Sequence, residues 1–429
     1  MKQVISAIKG TRDFYPENMA IRTWLYDTIK KISQRYGYQE YEGPFLEPID
    51  LYAAKSGEEL VKEQSFVFPD RSGELITLRP ELTPTLARMV AQKQKQLVFP
   101  LRWWSFGPFW RYEKPQKGRS REFFQWNIDL IGLNTPEADA ELLSVIVSFF
   151  RSVNLSSTQV KIFINDRKLM EDCLNQLGIP TERRSVVFRL IDRKEKMDFQ
   201  EWQNYARDEG LNPSQINGIV NLLQNTELWK ESPNLIRIFQ ALENESASEF
   251  VEFDPNIIRG LDYYTSTVFE AKDIGGTVRR SILGGGRYDD LLAAVGGDPL
   301  PAVGFAMGDV VISLILQEYG CIPPDIYSHP AKVLVTTFSN ESLSFSIKLA
   351  HQLREKGINV ITYPEAVSLN KQLKYADRMK IPFAILLGPD EIASDTITLK
   401  SLSSGEQTKI ENSEIDKKLL PLLVGEAKS

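Results

Sequence analysis

The chain has 429 residues, 51 basic and 57 acidic side chains, a formal net charge of −6 at pH 7 and a hydrophobic fraction of 42%. This length and composition exclude the disordered, collagen-like and small disulfide-stapled classes and indicate a globular chain of two or three domains. The two histidines and two cysteines lack the spacing of a common four-ligand zinc site and form no convincing pair for nucleophilic catalysis. We therefore predict no metal site built by the protein itself, and expect catalysis from carboxylates and arginines, with Mg²⁺ as the metal that suits them.

The sequence also bears on where the protein works. The N-terminal segment lacks the apolar stretch and cleavage site of a signal peptide, and no run of eighteen apolar residues occurs. The two cysteines, Cys173 and Cys321, are far apart in sequence. We expect a reduced, cytoplasmic protein with no membrane partner.

In chain order, the first predicted element is a long amphipathic helix over residues 17–36. An extended segment around Pro44 follows, and then a hairpin that turns at Arg71-Ser72-Gly73. Thr83 is predicted to cap the next helix. Glu81 would then lie at a corner between a strand and a helix.

Two aromatic-rich strands are predicted between Leu101 and Ile131, on either side of a basic loop at 114–120. Because strands and helices do not alternate strictly here, we predict the α+β class, with an antiparallel sheet flanked by helices. Residues of about 183–250 have a helical and highly charged pattern, which indicates an insertion.

Strand patterns return after residue 250. A strand is predicted at Tyr263–Ala271 and a second at Thr277–Leu283, which ends in the triple glycine Gly284–Gly286. A final strand then enters a helix, for which Asp309 is the predicted N-cap.

The pattern changes after the proline-bearing segment 321–330, which predicts a linker. Beyond it, the chain alternates β-α-β-α-β, as in a small parallel-sheet α/β domain. We therefore predict one domain at 1–325 and a second at 331–429.

The strand that ends at Ile131 has one face that is polar apart from a single aromatic ring, because Phe123, Gln125, Asn127 and Asp129 are separated by even numbers of residues. This face is either the solvated side of a sheet or the floor of a ligand site. Arginine is well suited to clamp phosphate, so Arg111 and the basic loop favour a nucleotide site. A solvated charge run is the alternative.

Two other segments have both a structural and a functional interpretation. Gly284–Gly286 lets the backbone approach a ligand closely, but it lacks the spacing of a phosphate-binding loop, and a tight turn is the alternative. Arg259 and Asp262 bracket a glycine just before Tyr263 and Tyr264, and they form either a structural ion pair or part of a site.

Taken in order, these segments resemble the histidyl-tRNA synthetases, which are class II aminoacyl-tRNA synthetases. The resemblance covers nearly the whole chain and is carried by KGTRDFYPE, TLRPELTPTLAR, RYEKPQKGRSREFFQ, RGLDYYTSTVFE and GGGRYDDLL. It implies an antiparallel catalytic sheet, a C-terminal anticodon-binding domain, and a homodimer formed in part by the long helix and the strand around Pro44. It also implies a ligase that activates histidine with ATP and transfers it to the 3′ end of tRNA, bound at its acceptor end and its anticodon.

The resemblance implies a role for each matching residue. Arg111 would bind the α-phosphate of ATP, Glu113 the adenine amine, Phe123 the adenine ring and Arg119 the outer phosphates. Arg259 would lie near the reacting carboxylate and α-phosphate and, with Arg111, would be a catalytic residue. The remaining residues would hold histidine, the α-amino group by Glu81, Thr83 and Gln125, and the imidazole by Asp129 and Tyr264 with Tyr263 beside them.

One position departs from the family pattern. The helix after the final strand normally carries an arginine that holds ATP, and Val311 occupies that place. Arg287 and Arg119 are the predicted substitutes. The departure keeps open an alternative function, a non-catalytic, histidine-sensing regulatory subunit of ATP phosphoribosyltransferase.

Overall fold

The computed structural model describes residues 5–53, 63–194, 197–259 and 263–421. The chain divides into two compact units between Ile322 and Pro323. Each unit has its own hydrophobic core among the described residues. In the same ranges, no helix has both the length and the apolar character needed to cross a membrane.

The first unit is built on a large, mostly antiparallel sheet. Eight strands of the described residues form it, in the order β1-β5-β6-β11-β10-β9-β7-β8, and the two outermost pairs are parallel. Three others form a small antiparallel sheet in the order β2-β4-β3. The strands are β1 (Gln39–Glu40), β2 (Leu46–Pro48), β3 (Phe66–Pro69), β4 (Leu75–Leu78), β5 (Leu101–Trp110), β6 (Glu122–Ile131), β7 (Val160–Asp166), β8 (Val251–Phe253), β9 (Thr267–Asp273), β10 (Leu283–Arg287) and β11 (Ala302–Gly308).

Helices pack against this sheet, so the predicted α+β class is confirmed. They are α1 (Pro16–Arg35), α2 (Asp50–Ala53), α3 (Thr83–Lys93), α4 (Pro136–Ser152), α5 (Arg167–Gln176), α6 (Arg184–Arg193), α7 (Phe199–Asp208), α8 (Pro213–Leu222), α9 (Pro233–Asn244), α10 (Leu291–Ala294) and α11 (Asp309–Glu318). The predicted amphipathic helix corresponds to α1, which buries Leu25, Ile29 and Ile32. The region predicted as an insertion contains α6 to α9.

The two faces of β6 have different environments, as its period-2 pattern predicts. Trp126 and Ile128 belong to the main core, and the Trp126 ring lies 5.5 Å from that of Phe149 on α4. Phe123 and Asp129 lie on the other face of the strand. This alternation places the candidate site on the face of β6 opposite to the main hydrophobic core.

The triple glycine is not a turn. Gly284–Gly286 lies inside β10, between β9 and β11, and Thr277–Leu283 is not the strand that its pattern predicts. Side chains at these positions have no room, because a Cβ on Gly284 would overlap the Arg259 guanidinium and one on Gly286 would lie 2.8 Å from the Tyr264 ring. The glycines therefore let Arg259 and Tyr264 lie directly on the sheet.

The second unit is an α/β domain with a mixed sheet. Its strands are β12 (Val333–Val335), β13 (Val360–Thr362), β14 (Phe383–Leu386), β15 (Thr396–Ser401) and β16 (Gln407–Glu411), and its helices are α12 (Leu343–Glu355), α13 (Leu369–Arg378) and α14 (Pro389–Ala393). The order is β13-β12-β14-β15-β16. The first three strands are parallel, as predicted, whereas β15 and β16 add an antiparallel hairpin that the prediction of a purely parallel sheet missed.

Candidate active site

A cleft of about 820 Å³ lies over the polar face of the large sheet. It is lined by the β5–β6 hairpin, the segment that ends at Arg259, the residues around Arg280 and the start of α11. The cleft gathers Arg111, Glu113, Arg119, Phe123, Gln125 and Arg259, which the sequence assigns to one site.

Arg111 and Phe123 lie together at the hairpin. The Arg111 Nε donates to the Pro80 carbonyl at 2.9 Å, and its guanidinium lies 5.4 Å from the Phe123 ring centroid. The strand β5 ends at Trp110, so Arg111 and Glu113 lie just beyond it, at the start of the hairpin loop. The Phe123 ring is supported from one side, since Phe109 stacks on it at 6.0 Å.

Glu113 and Arg119 pair with each other across the hairpin loop. The Arg119 Nε lies 2.9 Å from the Glu113 Oε2. This carboxylate is well buried, whereas the arginine is nearly half exposed. A phosphate could therefore bind the exposed side of the Arg119 guanidinium without breaking the ion pair with Glu113.

Arg259 has the features of a residue held in place for function. Its backbone adopts a left-handed conformation with φ of 61°, which costs a side-chain-bearing residue energy. Its guanidinium donates to the Glu270 Oε1 at 3.2 Å, and its buried Nε has no hydrogen-bond partner among the described residues. Burial opposes the charge, but Glu270 and the nearby tyrosines outweigh it and raise the pKa of Arg259. The other residue of the predicted structural pair, Asp262, lies outside the described residues.

A second group of side chains surrounds the buried carboxylate of Asp129. The Tyr288 hydroxyl donates to its Oδ1 at 2.5 Å. Burial raises the pKa of Asp129 to about 7, and the hydrogen bond from Tyr288 opposes that shift only in part. Burial, with Asp129 next, raises the pKa of Tyr288 well above its ordinary value, so this hydroxyl remains a donor.

Tyrosines connect this carboxylate to Glu81. The Tyr263 hydroxyl donates to the Glu81 Oε2 at 3.3 Å, and a hydrogen bond links the side chains of Tyr263 and Thr83. The Tyr263 ring lies 4.9 Å from Tyr264 and 5.9 Å from Tyr288. Because Thr83 is the first residue of α3 and Leu82 precedes it, the predicted capping role of Thr83 is wrong, and its side chain faces the tyrosines instead.

Two predicted residues have other roles. Arg287 is buried, pairs with Asp139 of α4 and donates to the Leu133 carbonyl at 3.0 Å. It therefore links β10 to α4, and it is not among the described residues that line the cleft, so the geometry does not support the prediction that it holds ATP. Asp309 is the first residue of α11 rather than its N-cap, and it accepts from Arg12 at 2.8 Å and from the Phe124 amide at 2.9 Å.

Sequence reasoning missed three residues of this site. Glu270 pairs with Arg259, Tyr288 holds Asp129, and Arg280 lines the cleft. Tyr288 lies within the motif GGGRYDDLL, two residues after Gly286, which was a usable signal. Arg280 lies in a segment whose pattern resembles a strand, and nothing in that pattern shows which way its side chain points.

An antiparallel sheet that carries an arginine-rich cleft beside a buried carboxylate and tyrosine cluster is the arrangement expected of a class II aminoacyl-tRNA synthetase. Comparison with known proteins supports this class. A family model described as histidyl-tRNA synthetase matches residues 10–309, and an anticodon binding domain model matches residues 332–421.

Individual relatives agree over nearly the whole chain. The histidine–tRNA ligase of Haloarcula marismortui is 36% identical, over 94% of this chain and 95% of its own. The chloroplastic/mitochondrial histidine–tRNA ligase of Arabidopsis thaliana is 36% identical, over 95% of this chain and 85% of its own. The crystal structure of histidyl-tRNA synthetase from Nostoc sp. PCC 7120 has a TM-score of 0.81 at 27% identity, over 97% and 99%.

The chain belongs to the histidyl-tRNA synthetase family. The curated relatives named here are ligases, which favours the enzyme over the regulatory-subunit alternative.

Proposed function

We propose that this chain is a ligase that activates histidine with ATP and then transfers the histidyl group to the 3′ end of its tRNA. The observation that carries the proposal is that the arginine-rich cleft adjoins the group of side chains around Asp129. Arg259 lies in the cleft and also interacts electrostatically with Tyr263 and Tyr264, which border the Asp129 cluster. A histidine whose imidazole reaches Asp129 would therefore direct its carboxylate toward Arg259.

Activation requires two anions to meet. A carboxylate oxygen of histidine attacks the α-phosphorus of ATP, the new oxygen–phosphorus bond forms, and the bond to the β-phosphate breaks with its electron pair leaving on pyrophosphate. The protein mainly positions the reactants and stabilises charge on the phosphoryl oxygens. We assign the stabilisation of this charge to Arg111 and Arg259. Phe123 and Glu113 would bind the adenine, and Arg119 would bind the outer phosphates.

Histidine would be selected by hydrogen bonds. Glu81, Thr83 and Gln125 would hold its α-amino group, and Asp129 would accept an N–H of the imidazole while Tyr288 holds the carboxylate in place. A side chain without that N–H would leave a buried acceptor unpaired, which makes discrimination steep. Tyr263 and Tyr264 would enclose the ring.

Mg²⁺ is expected to accompany ATP. The described residues hold no group of three or more His, Cys, Asp or Glu side chains suited to a metal ion. Mg²⁺ that enters with ATP is commonly held by substrate phosphates, water and one or two carboxylates. Glu270 also lines the cleft, but it pairs with Arg259, so we assign the ion to the phosphates of ATP and to no protein ligand. When bound, the ion would neutralise phosphate charge.

The domains would divide the work as the sequence predicts. Residues 1–325 would form the catalytic domain, with a helical insertion at about 183–250, and residues 331–429 would bind the anticodon. We further propose a cytoplasmic homodimer formed through α1 and the segment around Pro44, which directly precedes β2. Sedimentation of the purified protein would test the dimer.

Histidine-dependent exchange of label between pyrophosphate and ATP tests the proposed reaction directly. We expect exchange with histidine and none with phenylalanine or glutamine. Charging of tRNA in the same preparation tests the second step. A chain that binds histidine but catalyses no exchange would instead be a histidine sensor, and the proposed function would be wrong.

A further inference from the structure

The start of α11 leaves a place in the cleft without the expected cation. Val310 and Val311 line the cleft there, and Val311 belongs to the main hydrophobic core. The sequence resemblance leads us to expect an arginine at position 311. A triphosphate bound near these valines would meet no charge from α11 itself.

Arg280 reaches the same place from a different element. It lies in the segment between β9 and β10, is half-buried, and lines the cleft. A Cβ built on Gly118 would lie 2.8 Å from the Arg280 Cδ, 3.4 Å from its Nε and 3.7 Å from the Val311 Cγ2. The Arg280 side chain and Val311 therefore border the same small space next to the basic loop.

Five arginines of the described residues line the cleft; Arg280 differs from three of them in its partners, and it is half-buried whereas the fifth, Arg279, is exposed. Arg119 pairs with Glu113, Arg259 pairs with Glu270, and Arg111 donates to a carbonyl. Within the described ranges, Arg280 forms neither an ion pair nor a hydrogen bond. A half-buried guanidinium without an anion is poorly compensated, which is the situation that a bound anion relieves.

The electrostatic environment agrees with this geometry. Burial and the positive charge of Arg119 lower the pKa of Arg280, and Glu113 only partly offsets them. Two guanidinium groups that repel each other beside one carboxylate leave a net positive potential at this end of the cleft. A polyphosphate carries the charge that this potential attracts.

We propose that Arg280 binds the β- and γ-phosphates of ATP and takes the place of the arginine that Val311 replaces. This inference rests on the proposed function. In the activation step, Arg280 would stabilise the negative charge that develops on pyrophosphate as the bond between the α-phosphorus and the bridging oxygen breaks. Its planar group suits two oxygens at once, which a lysine cannot match.

The test compares binding of ATP with binding of AMP, which carries the adenine and α-phosphate but no outer phosphates. We expect Arg280→Ala to weaken ATP binding at least ~10-fold, the effect of losing a charge-assisted hydrogen bond. Binding of AMP should change less than about twofold. Arg280→Gln, which preserves most of the side-chain packing, should give the same pattern.

Arg207→Ala is the charge-matched control, because Arg207 is exposed on α7 and hydrogen-bonds to Asn204. It should leave both affinities unchanged. Unchanged ATP binding in Arg280→Ala and Arg280→Gln would overturn the proposal, and so would equal losses for ATP and AMP. The proposed function fails separately, if the unmodified chain catalyses no histidine-dependent exchange, because the ATP-to-AMP comparison does not require activity.

Discussion

Asp129 is assigned to bind the imidazole of histidine, and its pKa lies within the pH range of ordinary assays. Its pKa of about 7 results mainly from burial, and the carboxylate faces Tyr288 and the other tyrosines of the pocket. A carboxyl group whose pKa is higher in the folded than in the unfolded state stabilises the fold at pH values below its unfolded pKa. This contribution to the free energy of unfolding is lost as the pH rises through its folded-state pKa. The free protein should therefore lose stability between about pH 4 and pH 7 as Asp129 ionises.

We predict that Asp129→Asn binds histidine more weakly than the unmodified chain at pH 8 and binds ATP normally, because it removes a charged acceptor from the imidazole. The histidine affinity of the unmodified chain divided by that of Asp129→Asn should fall toward pH 6, where Asp129 becomes protonated. Titration calorimetry across pH measures this ratio, and the ligand's own titration cancels in it. A ratio that stays constant from pH 6 to pH 8.5, or equal losses for ATP, would indicate a structural role.

The same substitution gives a stability prediction of opposite sign. Without histidine, Asp129→Asn should unfold at a higher temperature than the unmodified chain at pH 8, because a buried charge has been removed. The difference should shrink at pH 5. A lower melting temperature at pH 8 would show that Asp129 stabilises the fold rather than the bound substrate.

For Arg259, we predict that substitution by alanine lowers histidine activation at least ~100-fold, as loss of one stabilising donor typically does. The fold should tolerate the loss of this side chain, because Lys272 lies 3.9 Å from the Glu270 Oε2 and remains beside the carboxylate that Arg259 pairs with. Circular dichroism and the unfolding temperature should stay close to those of the unmodified chain. Near-normal pyrophosphate exchange would exclude the assigned role.

Individual site residues could be predicted where a pattern fixes their direction. The period of two in β6 places Phe123 and Asp129 on one face, and the structure agrees. Arg287 shows the limit of that reasoning, since its partner Asp139 is 148 residues away in the chain. Only the packing of β10 against α4 reveals that its charge is already paired.

At the scale of elements, the glycines of β10 leave the space in which the Arg259 side chain lies. We predict that Gly284→Ala lowers histidine activation strongly, because the new methyl group would occupy the space of the Arg259 guanidinium. A double-mutant cycle with Arg259→Ala checks the cause. Once the arginine is gone, the methyl group should cost little further activity, whereas full additivity would mean that Gly284→Ala damages the sheet itself.

Elements with strong periodicity could be predicted and weakly patterned ones could not. The helix α1 and the hairpin that joins β3 to β4 lie within a residue or two of their predicted positions. The strand β10 was missed because its glycines signal a turn when read locally, while burial between two neighbouring strands selects them for their lack of side chains. Tertiary context decided the outcome there.

At the scale of the whole molecule, the two units differ in their chemistry. The cleft and the Asp129 cluster lie entirely before residue 322. The hydrophobic clusters of the second unit contain only residues from Ala331 onward. Separate cores indicate that each unit can fold by itself.

We predict that a fragment ending at Ser328 still forms histidyl adenylate but charges tRNA poorly, because the assigned activation residues lie in the first unit. From Ala331 onward the sequence has 13 basic and 12 acidic residues, so bulk attraction for RNA is small and the second unit should act through contacts to anticodon bases. Pyrophosphate exchange serves as the internal control for folding of the fragment. The salt dependence of the remaining tRNA binding should persist, since the basic hairpin loop stays in the fragment. A fragment that exchanges pyrophosphate normally and charges full-length tRNA as well as the intact chain would contradict the anticodon-binding role of the second unit.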